Sequence, residues 1–161
     1  MDMMPPAAVG GGQEIFLGRQ SIVDRRQHLR AFELLFRAGR QSRAEVDNGC
    51  SATAAVIHHA LNELGLASLL GGYRGYVNLD ADMLMSDAIE LLPRNKFVLE
   101  ILETVQPTTA IVARCRNLRG KGYTLAMDDF TRHDPALAPL LDVVHIVKVD
   151  IRAIKVNWAA C

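Results

Sequence analysis

The chain has 161 residues, of which 50% are hydrophobic and 22% are charged. These proportions indicate one globular domain with a substantial core and exclude a fibrous or disordered chain. Because 18 basic and 18 acidic side chains cancel, the total charge predicts no field that recruits nucleic acid or an anionic membrane, although it is compatible with a local basic cluster.

The composition of the first residues and the spacing of the cysteines predict where in the cell the protein is found. Residues 1–13 combine two prolines with a glycine run, which is typical of a disordered leader. No basic start followed by an apolar stretch is present, and no run reaches the roughly 20 apolar residues of a membrane span. The cysteines Cys50, Cys115 and Cys161 are far apart and lack metal-ligand spacing, so we predict a soluble protein in the reducing cytoplasm.

Strand and helix signals alternate in the first half of the chain. A strand signal covers 14–24, and a polar turn leads into a second strand that ends at Arg37. Apolar residues at helical spacing predict a helix over 51–64, with Gly65 as its stop. The next strand ends at Asn78 and Asp80, and a short helix follows it.

The second half repeats this alternation, with strands predicted at 96–103, 123–128 and 143–150. Pro107 and Thr108 open a clear helix between the first two of these strands. We expect its arginines to form a solvated face rather than a nucleic-acid patch. The β-branched runs indicate strands covered on both faces. The alternation therefore predicts an α/β fold, either a doubly wound sheet or part of a β/α barrel with helices outside.

Polar side chains interrupt these apolar strands, near their ends. They are Glu33, Asn78, Glu100, Asp128 with Asp129, and Lys148. A barrel gathers the carboxyl ends of its strands around one mouth, and carboxylate and amide oxygens suit Mg²⁺ or Mn²⁺. Two such ions can activate a water and clamp the oxygens of a phosphodiester. The alternative for Asp128 and Asp129 alone is a turn whose carboxylates accept backbone N–H groups.

Six segments carry a resemblance to the EAL-domain cyclic di-GMP phosphodiesterases. FELLFR resembles the EAL signature, with Glu33 at its glutamate. RQSIVD resembles QPIVD, YVNLD resembles INLS, LEILE resembles ELTE, LAMDDF resembles LALDDF, and IVKVD resembles IKID. The segments follow the family order from about residue 14 to 154. The FELLFR form resembles most the divergent branch that carries a C-terminal HDOD domain.

The resemblance implies a β/α barrel with one strand reversed and a defined set of site residues. Metal ligands would be Glu33, Asn78, Glu100, Asp128 and Asp129, while Gln20 and Arg37 would contact the nucleotide. Lys148 would orient the attacking water, and Glu103 would steady the loop after the aspartate pair.

The sequence also departs from the family. The family loop DDFGTGYSS is DDFTRHDPA here, so both glycines are replaced. The family barrel needs two further strands, and barrels of this class typically have ~250 residues. We therefore expect a partial barrel with about six of eight strands over 14–154, followed by a tail, 155–161, that does not fit the pattern.

Three functions remain open from the sequence. The favoured one is a degenerate, catalytically weak or inactive EAL-like module that binds cyclic di-GMP poorly or not at all and acts as a regulator through a protein partner or homodimer. The alternatives are an active metal-dependent phosphodiesterase that yields the linear dinucleotide, and a nonfunctional fragment.

Overall fold

A computed structural model describes residues 2–3, 7–9, 13–38, 65, 69–131 and 134–152. The strands in this part of the chain are β1 (Asp2–Met3), β2 (Ala7–Val9), β3 (Gln13–Val23), β4 (Leu29–Ala38), β5 (Arg74–Leu79), β6 (Phe97–Ile101), β7 (Thr124–Phe130) and β8 (Ile146–Val149). The helices are α1 (Ala81–Met85), α2 (Thr109–Gly120) and α3 (Ala138–Leu141), with 3₁₀ turns at Asp87–Leu91 and Pro135–Leu137.

All the described strands belong to one sheet. Its order is β1-β3-β4-β5-β6-β7-β8, and β2 also pairs with β3. β3 and β4 are antiparallel, whereas β4 through β8 are parallel to one another. The predicted α/β fold is therefore confirmed as a partial barrel of six main strands in which the first main strand is reversed.

Part of the expected disordered leader pairs with the sheet. Within the expected disordered leader, β1 and β2 lie antiparallel along β3. The 11 residues of β3 offer a long edge whose backbone groups these short strands pair with. The helix predicted over 51–64 lies outside the described residues, and the division of the chain into leader, domain and tail stays a prediction.

The core lies between the sheet and its helices. β6 is buried along its whole length, and β5 alternates between half-buried and buried residues. Gly75 marks a close approach in this core, because a Cβ there would lie 3.0 Å from Leu70 Cδ2 and 3.2 Å from Leu34 Cδ1. A side chain at this position would therefore require these neighbouring side chains to move by a few tenths of an ångström.

Helix α2 begins and packs as its sequence predicts, with one correction. The Thr108 hydroxyl accepts a hydrogen bond from the Ile111 N–H at 3.3 Å, and the buried stripe includes Ile111, Cys115 and Leu118. Arg114 is not part of a solvated face, since its side chain is only 12% exposed. Its guanidinium donates to the carbonyls of Leu84 and Ser86 and to Glu90, so it joins α2 to the preceding turn.

Candidate functional site

Strand alternation brings the polar side chains to one side of the sheet. On β5, Val77 and Leu79 are buried in the core, whereas Tyr76 and Asn78 are half-buried on the opposite face. Asn78 is the register partner of Glu100 on β6. Since parallel strands end at the same edge, these two side chains lie near the carboxyl ends of neighbouring strands.

A bulge in β7 places the side chains of the two adjacent aspartates in different environments. The register between β7 and β8 shifts between Met127 and Phe130, and Asp129 has a φ of 44°, a left-handed conformation that aspartate tolerates better than most residues. Asp128 is consequently buried, at 9% exposure, whereas Asp129 is exposed.

Lys148 on β8 lies at the centre of the buried carboxylates. Its Nζ is 2.5 Å from Glu100 Oε1 and 2.9 Å from Asp128 Oδ1. The same atom is 3.2 Å from Glu33 Oε2 on β4. One ammonium group thus links acidic side chains from three other strands, and the carboxylates converge on a single point.

Two buried oxygen atoms at this point lack a donor. Asn78 Nδ2 donates to Glu33 Oε1 at 3.1 Å, but within the described residues neither Asn78 Oδ1 nor Glu100 Oε2 has a hydrogen-bond partner. Burying an unsatisfied acceptor is costly. Glu33, Glu100 and Asp128 also offer oxygen atoms that all lie within 4.8 Å of one another. This set of hard oxygen donors fits a divalent cation.

Burial governs the electrostatics of the cluster. The Glu100 side chain is fully buried, and this burial raises its pKa to about 7, against the opposing effect of the Lys148 ammonium. Burial alone would lower the pKa of Lys148, but its hydrogen bonds to Glu100 and Asp128 raise it overall. Lys148 is therefore a permanent cation that donates hydrogen bonds and cannot act as a base near neutral pH.

A second acidic group adjoins the first. Oxygen atoms of Glu103, Asp128 and Asp129 also lie within 4.8 Å of one another. The charge of Asp128 is the main reason why the pKa of Asp129 is raised, and burial and Glu103 add to the shift. Asp128 thus belongs to both groups and connects the buried cluster to the exposed rim of the mouth.

The two predicted nucleotide contacts, Gln20 and Arg37, lie on the antiparallel strands β3 and β4. Gln20 on β3 is exposed and is the register partner of Glu33. Arg37 is part of β4, but its side chain lies outside the described set. The turn alternative for the aspartate pair is not observed, because no hydrogen bond between described residues joins Asp128 or Asp129 to a backbone N–H.

Tyr76 was not among the predicted site residues. It lies two residues before Asn78 on the same face of β5 and beside Glu33 in register. Burial raises its pKa, and the charge of Glu100 contributes to the shift. Because Tyr76 lies two residues before Asn78, the period-2 alternation of a strand could have identified it as a residue of the barrel interior.

The chain is similar in sequence to known proteins. No protein-family profile matches the chain. The cyclic di-GMP phosphodiesterase CdgJ of Vibrio cholerae is 34% identical over 145 residues, which are 89% of this chain and 33% of CdgJ. This similarity and the fold make the chain an EAL-type domain. The uncharacterized protein YuxH of Bacillus subtilis is 31% identical over 140 residues, 84% of this chain and 34% of YuxH.

The EAL fold is also found among solved structures. The Bacillus subtilis YkuI protein, which has an EAL domain and was solved with substrate c-di-GMP and calcium, superposes with a TM-score of 0.62 and 20% identity. The superposition covers 86% of this chain and 42% of YkuI. This EAL-type chain spans about a third of the length of its curated relatives. No helix in its described part is long and apolar enough to cross a membrane.

Proposed function

We propose that this chain is a cyclic di-GMP signalling domain that binds the nucleotide together with divalent cations and hydrolyses it weakly or not at all. The observation that carries the proposal is the convergence of Glu33, Glu100 and Asp128 on Lys148, with Asn78 bonded to Glu33. The identity of the nucleotide is inferred from a relative, since CdgJ is a cyclic di-GMP phosphodiesterase. A protein partner or homodimer would carry the signal onward.

The cation would be Mg²⁺ or Mn²⁺, which prefer oxygen ligands. The residues that would hold it are Glu33, Asn78, Glu100 and Asp128, with Asp129 beside them. Glu100 Oε2 and Asn78 Oδ1 support this assignment, because they are buried acceptors without a donor among the described residues. When bound, such a cation neutralises phosphate oxygens and lowers the pKa of a coordinated water.

The side chains of this chain divide the remaining tasks. Lys148 balances the carboxylate charge when the cluster is free of cations. Once the carboxylates are engaged elsewhere, its protonated Nζ can donate hydrogen bonds to a water or to a phosphate oxygen. Glu103 lies beside the aspartate pair and would hold the following loop, while Gln20 and Arg37 would contact the nucleotide.

Two features support weak hydrolysis. The Lys148 ammonium contacts three carboxylates, so cation binding must compete with an existing set of ion pairs. In addition, the sequence DDFTRHDPA has no glycine after the aspartate pair, which reduces the conformations open to this loop. Asp134 caps the 3₁₀ turn at Pro135–Leu137 by accepting from the Ala136 N–H at 2.9 Å, and this cap fixes the conformation of Asp134 itself.

The test is a thermal unfolding scan with Mn²⁺, with cyclic di-GMP, and with both. A ligand that binds only the folded state raises the unfolding midpoint, so we expect the largest rise with both together. Asp128→Asn is the matched variant, since it keeps the size of the side chain and removes its charge. It should lose most of the rise, and a wild-type midpoint that ignores both ligands would refute the binding proposal.

The second candidate is an active phosphodiesterase. It is favoured by the acidic set itself, which includes two overlapping carboxylate groups that could each hold a cation. Chromatographic detection of the linear dinucleotide separates the two candidates. Sustained turnover with Mn²⁺ that Asp128→Asn abolishes would establish hydrolysis, whereas nucleotide binding without turnover is the result expected for the first proposal.

A further inference from the structure

The opposite end of the sheet carries a set of basic side chains, which we call the basic rim. The loops before β5, β6 and β7 and the hairpin between β3 and β4 lie at this end because β4 through β8 are parallel. Backbone and side-chain bonds connect them, since the Gly75 N–H donates to the Lys96 carbonyl and Arg94 donates to the Lys121 carbonyl. The basic rim comprises Arg25, Arg26, Arg30, Arg94, Lys96 and Lys121.

The hairpin presents its arginines on a well-defined turn. Asp24 Oδ1 accepts hydrogen bonds from the N–H groups of Arg26 and His28 at 2.8 and 3.0 Å. Asp24 Oδ2 accepts two more from the Arg30 guanidinium, at 2.7 and 3.0 Å. These bonds fix the conformation of the turn and leave Arg25 and Arg26 exposed at its tip.

Most cations of the basic rim have no ion-pair partner in the part of the chain that the structure describes. Within the described residues, ion pairs engage only two rim cations, Arg30 with Asp24 and Lys121 with Glu90. Arg94 donates to a carbonyl, which leaves its charge uncompensated. These two carboxylates are already engaged, and the exposed Asp142 before β8 is one further acidic residue at this end. Six cations against three carboxylates leave a local excess of positive charge although the whole chain is neutral.

Large apolar side chains are exposed between these cations. Val23 at the end of β3 is 51% exposed, Tyr73 before β5 is 40% exposed, and Leu91 before β6 is 61% exposed. Each lies within three residues of a basic residue along the chain. Cations interspersed with exposed apolar groups are the combination that peripheral membrane surfaces use.

The two ends of the sheet are oppositely charged. The carboxyl ends carry exposed or half-buried acidic residues after four successive parallel strands, including Asp80, Glu103, Asp129 and Asp150. An anionic surface would therefore attract the basic rim and repel the acidic mouth. Such a surface would orient the domain with its mouth toward solvent, where a nucleotide could still enter.

We propose that the basic rim is a docking surface for an anionic lipid bilayer. Arginine binds lipid phosphates through two parallel hydrogen bonds, and Val23 and Leu91 can enter the headgroup region. Val23 and Leu91 give little to a nucleic acid, which is bound by stacking and hydrogen bonding, and the ring of Tyr73 already packs edge-to-face against Phe32. The cations are also spread over three connections at one edge, which suits an extended surface. This inference is independent of the proposed nucleotide function.

The test is flotation of the whole chain with two kinds of vesicle at low salt. One kind contains phosphatidylcholine alone, and the other contains phosphatidylcholine and phosphatidylglycerol in equal parts. We expect binding only to the anionic vesicles, with a loss at high salt. Each cation near such a surface changes the partition coefficient about fivefold, so the double variant Arg25→Glu with Arg26→Glu should weaken binding at least twentyfold, about fivefold for each arginine lost.

The matched control is Arg116→Glu with Arg152→Glu. Both residues are exposed and lie away from the basic rim, and the change in total charge is the same. This variant should keep binding within a few-fold of the wild type. No binding to anionic vesicles, or an equal loss in both double variants, would overturn the proposal. Binding to single-stranded RNA without binding to vesicles would also overturn it and identify the rim as a nucleic-acid surface.

Discussion

The two ends of the parallel strands use charge in opposite ways. At the carboxyl end, Glu33, Glu100 and Asp128 are largely buried and share one cation, Lys148. At the amino end, the charged groups are exposed, and Arg25 and Arg26 have no ion-pair partner among the described residues. Buried charges require partners, so the carboxyl end is poised to respond to an added cation, whereas the amino end can respond only to an external anion.

This difference teaches which residues hold the fold and which hold the site. Near the amino end, stability comes from apolar packing around Gly75 and from hydrogen bonds such as those from Tyr123 Oη to the carbonyls of Glu90 and Leu92. At the carboxyl end, the polar cluster includes two buried oxygens, Asn78 Oδ1 and Glu100 Oε2, without donors among the described residues, which lowers stability until a ligand engages them.

The largest effect should follow from Lys148→Met. This change leaves three carboxylates near one another without their cation, and we expect the free energy of unfolding to fall by about 3 kcal/mol in mildly alkaline, metal-free buffer. Mn²⁺ should then restore more stability to the variant than it adds to the wild type. Denaturant titrations with and without Mn²⁺ measure both quantities. An unchanged free energy of unfolding would show that the cluster does not depend on Lys148.

A change at the amino end should separate stability from cation binding. The Cβ of Gly75→Ala would meet Leu70, Leu34 and Phe97 at 3.0 to 3.2 Å, and we expect a loss of about 2 kcal/mol from overpacking. The rise in thermal midpoint with Mn²⁺ should remain as in the wild type. Gly72→Ala is the control, because a Cβ there has no atom within 4 Å. If Gly75→Ala removed the Mn²⁺ response, the two ends could not be regarded as independent.

A smaller effect concerns pH. The pKa of Glu100 rises from 4.5 to about 7 on folding, because the side chain is buried. Between these values the folded chain binds the proton more tightly than the unfolded chain, so the free energy of unfolding should fall as the pH rises from 4.5 through 7 and then level off. Glu100→Gln should remove this part of the slope in the presence of a chelator. A slope that Glu100→Gln leaves unaltered would contradict the assignment.

The smallest effect should be that of the rim arginines on stability. Arg25 and Arg26 are exposed, and their side chains make no ion pair with a described residue. The free energy of unfolding of the double glutamate variant should therefore stay within about 0.5 kcal/mol of the wild type. Urea titration measures this difference, and a large loss would mean that the rim stabilises the fold.

The sequence was sufficient for most of the fold and for the convergence of the polar side chains. Apolar runs predicted the main strands, and single polar residues within them, such as Glu100 and Lys148, predicted the cluster. This inference worked because a charged side chain inside a buried strand needs a partner, and parallel strands bring such residues to a common edge. The geometry of Asp128 and Asp129 required the structure, since a bulge depends on pairing with β8.

Other features depended on contacts that sequence patterns do not contain. In the sequence, Arg114 resembles its exposed neighbours on α2. In the structure it is buried because its guanidinium donates hydrogen bonds to the carbonyls of Leu84 and Ser86, which lie outside α2. Likewise, the equal numbers of basic and acidic residues predicted no attraction to an anionic membrane. Total charge ignores position, and the proposed docking surface arises because the fold places basic and acidic loops at opposite ends of the strands.

The most direct test of the cation site is Mn²⁺ titration followed by electron paramagnetic resonance, in which only free Mn²⁺ gives the strong signal. The wild type should remove Mn²⁺ from the free pool at stoichiometric ratio, and Asp128→Asn should do so much more weakly. Equal free Mn²⁺ in the presence and absence of the wild-type chain would contradict the account, because the convergent carboxylates would then be a structural ion-pair cluster rather than a cation site.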